Sequence, residues 1–450
     1  MSNELNTAIS APMDATDYKA MSSVKVSRVS IQPENANSVK LTGGQTSDLY
    51  ISLPSKPSSF LNGSNTYLSF TYKFIGNHET GKVASISNGT GASFIRNLET
   101  ICGSVSLENI ADYNTLACLV DDFQSANRKT KLGSILEDSS ITVAKAGTER
   151  SIATANAAGF VEKRRVCIPL MSCAIGTLAD KYFPMDADVG LRLRLTFEDP
   201  LIALLSDLTS TADRNALGYE LEDLTLECEY LESDPATYNS IVREAGGVMK
   251  ISGTGVSSFQ TTIQAGSTKN TILIPARFSS VRNYFTTMRP TNDVGGATAY
   301  NKNSSGCRVR DNLEAYQYRI HGKPYPNLPV SVDAYTGAEV MSEVLKCFHS
   351  LHNTAQDVAF NRDLFTQNTS EVTESGTTTQ HPKGAFVLGI DFEEPGFAPQ
   401  MMSGQSTNSG NSFLELTHTS ACSDLTINTF AFYDNIIEVN TQTGEIFVSK

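Results

Sequence analysis

The sequence predicts an all-β chain made of two tandem Greek-key β-sandwiches with short inserted helices and a connecting helix. Three observations carry that expectation. Period-2 alternation recurs along the chain, most cleanly where Leu191, Leu193, Leu195 and Phe197 alternate with Arg192, Arg194, Thr196 and Glu198. The 450 residues are more than one hydrophobic core serves, since single cores stop growing at roughly 250–300 residues. The order of elements in the first half also returns in the second at a nearly constant shift, the signature of an internal repeat.

Residues 1–23 are polar and aperiodic and read as an N-terminal arm ordered only against a neighbour. The first domain is expected over 24–232. Val24 and Val26 alternate with Lys25 and Ser27, and Leu49, Ile51 and Leu53 form a short run before Pro54. Leu68, Phe70, Tyr72 and Phe74 then alternate with Ser69, Thr71 and Lys73, a strand with one buried and one wet face. Residues 76–93, rich in Gly, Asn and Ser, read as a loop. A strand is expected from about Ile101 to Leu107, followed by a helix capped by Asp112, with Leu116, Leu119, Val120 and Phe123 at helical spacing. Gln124 to Gly159 reads as a mobile segment. Strands resume at Val166, Ile168 and Leu170, and Leu224, Leu226, Cys228 and Tyr230 close the half.

Residues 233–247 read as the connecting helix. Asp234 supplies an N-cap oxygen, Pro235 suits the first helical position, and Gly246 with Gly247 stop the run in a left-handed turn. Tyr238, Ile241, Val242 and Ala245 fall at i, i+3, i+4 and i+7, so that face is expected to dock.

The second domain, 248–450, repeats the first. TILIP at Thr271–Pro275 matches YISLP at Tyr50–Pro54, the prolines standing 275 − 54 = 221 apart. EAYQYRIHG and the helix that follows, with Val340, Val344, Leu345, Phe348 and Leu351 on one face, match Ile101 to Phe123. FVLGIDF matches the Val166 run, with 388 − 168 = 220 between Leu388 and Ile168, and FLEL matches Leu191–Leu195, with 414 − 193 = 221 between the middle leucines. Two long loops, 289–311 and 365–383, separate these elements. The jelly roll is the commonest Greek-key sandwich with such excursions.

A net charge of −13 and a pI near 5.0 disfavour direct binding to a phosphate backbone. Arg128, Lys129 and Lys131, and Lys163, Arg164 and Arg165, read as solvated loop or strand-edge charges, the other reading being a patch for nucleic acid or an acidic neighbour. The N-terminus lacks a basic region followed by an apolar core, and no apolar run approaches the roughly 18–20 residues that span a bilayer. The chain is therefore expected to be soluble and made inside a cell. Its eight cysteines show no CxxC spacing and are expected to be free thiols.

No catalytic, cofactor-binding or metal residues are expected. His349 and His352 stand at i, i+3 without convincing third and fourth ligands, and His321 and His418 read as isolated structural histidines in strands. Gly253, Thr254 and Gly255 follow a strand without opening a helix, so they are no phosphate loop. Asp121 with Asp122 and Glu393 with Glu394 are sequence neighbours, expected to point apart into solvent. The sequons at Asn62, Asn88, Asn303 and Asn368 are what Ser- and Thr-rich loops generate by chance.

YRIHGKPYPNLPV at Tyr318–Val330, LGIDFEEP, the MSGQSTNSG loop leading into FLEL, and the closing FAFYDNIIEVNTQTGEIFV together resemble the double jelly-roll major capsid proteins of tailless icosahedral DNA viruses, virophages and polinton-like elements. The likeness runs by motif over about residues 313–450 and by pattern and duplication over the first half. It implies two jelly rolls and a non-enzymatic structural subunit without cofactors, forming homotrimeric, pseudo-hexagonal capsomers of an icosahedral virion assembled inside the host cell. Implied partners are neighbouring capsomers and minor capsid or penton proteins, with the inner end facing either the particle interior or an internal membrane and no direct sequence-specific nucleic-acid contact. The alternative is a carbohydrate-binding or carbohydrate-cleaving β-sandwich protein, since sugar proteins use the same architecture. The lack of tryptophan and of an export signal argues against it.

Overall fold

A computed structural model describes residues 24–450 apart from 77–82, 88–89, 137–149, 152–162, 180, 186–189, 207, 209–210, 292–303, 349–356, 370, 375–376, 381–383, 394–403 and 441–442. The expected arm, Leu351, and the pair His349 and His352 lie outside the described residues. In chain order the first sandwich comprises β1 (Lys25–Ile31), β2 (Ser47–Ser52), β3 (Ser59–Ile75), β4 (Ile95–Cys102), β5 (Val105–Ile110), helix α1 (Tyr113–Asp122), β6 (Arg164–Pro169), β7 (Leu191–Phe197) and β8 (Gly218–Glu232). Helix α2 (Pro235–Glu244) follows. The second comprises β9 (Val248–Ile263), β10 (Lys269–Ile274), β11 (Val281–Pro290), β12 (Leu313–Ile320), β13 (Lys323–Ser331), helix α3 (Ala338–Cys347), β14 (Leu388–Asp391), β15 (Ser412–His418) and β16 (Leu425–Asn440). A last strand, β17 (Ile446–Ser449), pairs with β16.

The repeat expected from sequence is a repeat of topology. The first sandwich stacks a β1–β8–β3–β6 sheet on a β2–β7–β4–β5 sheet, and the second stacks β9–β16–β11–β14 on β10–β15–β12–β13. Each strand of the first thus has its counterpart eight strands later. Within each set of eight, consecutive strands change sheet except at the hairpins β4–β5 and β12–β13. In β7 and β15 every second residue is buried, Leu193 and Leu195 in one, Leu414 and Leu416 in the other, as period-2 patterning requires.

Several local expectations need correction. The strand placed over Ile101–Leu107 is a hairpin: β4 ends at Cys102, Gly103 turns at φ 58°, and β5 begins at Val105. Its counterpart turns on His321 (φ 52°) and Gly322 (φ 78°), positive values at both central positions that suit the strand twist. His321 therefore sits in a turn, where its ring approaches Ser409, and not in a strand. Asp112 precedes α1 but caps nothing with its side chain, which is turned instead toward Arg289 of the second sandwich.

A further correction concerns α2. Asp234 caps it through the Ala236 N–H at 3.1 Å, and Gly246 and Gly247 end it with positive φ, both as expected. The docking face is narrower than its spacing implies. Tyr238 is buried against Phe60 with ring centroids 5.3 Å apart, while Ile241 and Val242 are half-buried and Ala245 is exposed. One aromatic anchor holds the helix.

Candidate functional site

The two sandwiches meet along a buried, charged junction. The first contributes its edge strand β5, α1 and the turn after α1; the second contributes β9, β11 and the segments flanking β12. Edge strands carry unpaired backbone groups and need covering, and β5 is covered by β9 and β17. Glu108 of β5 is fully buried. One carboxylate oxygen accepts the Val256 N–H of β9 at 2.6 Å and the other accepts the Cys173 N–H of its own sandwich at 2.9 Å.

Around α1 the junction holds ion pairs. Lys129 is buried and reaches Asp121 at 2.7 Å and Asp122 at 2.8 Å. Arg308, with no exposed surface, crosses from the second sandwich to Asp122 and donates from Nε to the Gly384 carbonyl at 3.3 Å. Arg289 of β11 reaches Asp112 at 3.4 Å. Apolar contacts continue the junction: Phe123, at the end of α1, stacks on Phe348, at the end of α3, with centroids 4.8 Å apart, and Phe348 touches Phe285 of β11. The Ser87 and Ser305 hydroxyls meet at 2.7 Å.

Burial shapes the electrostatics. It raises the Glu108 carboxyl above the ordinary glutamate value, the two N–H donors opposing. For Lys129 burial favours the neutral amine, but Asp122 and Asp121 outweigh it and hold the ammonium above the usual lysine range. The junction is thus a set of matched charges out of water, an arrangement that fixes geometry more than it adds stability.

This overturns two expectations. Asp121 and Asp122 do not point apart into solvent: both converge on Lys129. Lys129 is no solvated loop charge, although Arg128 and Lys131 beside it, and Lys163, Arg164 and Arg165 of the other basic group, are exposed. Spacing along the chain did not reveal the site of Asp122, because Arg308, which meets it across the junction, lies 186 positions away. Glu108 carried no sequence signal at all.

The remaining candidates are structural in their contacts. His418 is buried with Nδ1 at 2.9 Å from the Asp311 carbonyl. Glu393 pairs with Arg282 at 3.4 Å, and Glu394 lies outside the described residues. Gly255 lies in β9, where a Cβ would come within 2.6 Å of the Tyr433 ring, so close packing explains the glycine. The Asn62 and Asn368 amides are bonded to Glu229 and Asn312, while Asn88 and Asn303 lie outside the described residues. None of the eight cysteines is in a disulfide. Among the described residues no group of three or more His, Cys, Asp or Glu converges as metal ligands do, and no helix is long and apolar enough to cross a membrane.

No family model matches the chain, and no curated protein does. Solved structures do match it over nearly its whole length. The quasi-atomic model of the PBCV-1 virus capsid is similar with a TM-score of 0.59 at 10% identity, covering 95% of this chain and 97% of that one. The fold is a double jelly roll. The Sputnik virophage structure is similar with a TM-score of 0.57 at 10% identity over 94% of this chain and 88% of that one, and the Faustovirus major capsid protein with 0.52 at 9% identity over 92% and 90%. Two jelly rolls in one chain make the buried junction a contact between two copies of one architecture, reached through different faces of each.

Proposed function

We propose that this chain is the major capsid subunit of an icosahedral virion, a non-enzymatic structural protein that assembles as a homotrimer. In this reading residues 24–232 and 248–450 are the two jelly-roll domains and 233–247 is the joint between them. Six jelly rolls from three chains give a pseudo-hexagonal outline, and such outlines tile a facet from one gene product. The observation that carries the reading is the match of both jelly rolls at once, over 95% of the chain, to the subunit of a virus capsid. The charged junction supports it, since a tiling subunit needs a fixed angle between its two halves. Neighbouring capsomers are the first partners, with penton or minor capsid proteins and an internal membrane at the edges and inner end of the facet.

The test is assembly of the purified protein. Light scattering should give a species of three 48.6 kDa chains, and negative-stain images should show hexagonal particles or shells. A single-chain species at every concentration and salt, or retention on immobilised glycans without any assembly, would overturn the proposal.

A further inference from the structure

One carboxyl at the junction lacks a counter-charge. Asp112 meets Arg289, Asp121 meets Lys129, and Asp122 meets both Lys129 and Arg308. Glu108 has no exposed surface, and among the described residues no lysine, arginine or histidine pairs with it. Its oxygens accept the N–H groups of Val256, across the junction, and of Cys173, in its own jelly roll, with the Ser172 hydroxyl and the Cys173 thiol beside them.

The surroundings suit a neutral carboxyl. Tyr433 of β16 lies with its ring against Gly255, one residue from the N–H that Glu108 accepts, and the Glu108 charge acts on its phenol. Asn435 of the same strand approaches the Cys173 thiol. Both residues are buried, and neither the Tyr433 hydroxyl nor the Asn435 amide makes a hydrogen bond of normal geometry, although Ser257 stands near the hydroxyl. A protonated carboxyl offers an O–H that such oxygens can accept, whereas a carboxylate offers acceptors alone.

The titratable groups that face Glu108 are the Cys173 thiol, from the segment after β6, and the Tyr433 phenol, and burial holds both neutral. On β4 the residue opposite is Thr100. The lysine of β9, Lys250, pairs with Glu438 at the surface, and β17 carries no ionisable side chain. Burial also raises the Glu108 carboxyl above the ordinary 4.5, in keeping with this geometry.

We propose that a proton on Glu108 locks the joint between the two jelly rolls. With the proton in place the carboxyl is neutral and β5 stays closed on β9. When the proton leaves to solvent, a carboxylate without a cation remains between the jelly rolls, and the contact opens to hydrate it, because an unpaired charge held out of water is costly. The joint therefore loosens as pH rises. This is a property of one chain and stands whether or not the chain assembles.

Hydrogen exchange of the full-length protein tests it, read peptide by peptide and corrected for the intrinsic base-catalysed rate. From the ordinary glutamate value of 4.5 up to the value in the closed joint, the opening constant of β5 and β9 should rise about tenfold per pH unit and then level off. β7 and β15, inside the two sandwiches, should keep their protection over the same range. Glu108→Gln, neutral at every pH, should open more at low pH than the parent but lose the slope; Glu108→Met gives the same reading if the glutamine variant fails to fold. A flat profile for β5 and β9 in the parent, an equal slope in the neutral variant, or an equal loss of protection in β7 and β15 would overturn the proposal.

Discussion

Glu108, on an edge strand of the first jelly roll, accepts the backbone N–H of Val256 in the second at 2.6 Å, with the other oxygen held by Cys173. One buried carboxylate thus ties together two segments that are 148 positions apart in the chain. It has no exposed surface, so its protonation bears on the joint between the jelly rolls.

Glu108→Gln keeps one acceptor and turns an amide toward an N–H, which should cost about 1–3 kcal/mol. The cost should depend on pH. The Glu108 pKa is raised above the ordinary 4.5, so its contribution is fully present below that value and is lost as pH rises through the folded-state value. Urea unfolding of both proteins should therefore show the widest gap at low pH and a narrower one toward neutrality. A gap that widens as pH rises would contradict the assignment.

Arg308→Ala removes the ion pair that Asp122 makes across the junction and opens a space there. Breaking a buried pair typically costs roughly 3–5 kcal/mol, and Arg308→Lys should recover little, because a lysine cannot reach Asp122 and the Gly384 carbonyl with one planar group. Chemical denaturation measures both. Equal stability of Arg308→Lys and the parent would show that the fork geometry is immaterial.

Tyr238→Ala should free α2 at a cost of about 3 kcal/mol, whereas Ile241→Asp, at a half-buried position, should cost about 1 kcal/mol. Hydrogen exchange across residues 233–247 separates them: strong loss of protection in the first variant, little in the second. The reverse order would mean that the apolar spacing, and not the aromatic anchor, holds the helix.

Thiol reactivity should follow burial. Burial pushes Cys102, Cys118 and Cys228 up to about 12, so few thiolates form at mildly alkaline pH, while Cys167 is half-buried. Mass spectrometry of native protein treated with iodoacetamide should find Cys167 labelled first, and all eight labelled after unfolding without reductant. Early labelling of Cys118 would place its helix outside the core.

The sequence by itself determined what depends on near neighbours. Alternation along Leu191–Phe197, the Asp234 cap, the Gly246–Gly247 stop and the repeat near 220 residues are local or periodic properties, and strand placement, two-fold duplication and the connecting helix follow from them. Only the tertiary structure decided how the jelly rolls meet. Asp112 looked like a helix cap and became a partner of Arg289; Asp121, Asp122 and Lys129 looked solvated and came together at the junction; Glu108 stood out in no way. For Asp112, Asp122 and Glu108 the deciding partner lies far along the chain. Desolvation is set by what packs on a side chain in space, and that information appears only when both halves have folded against each other.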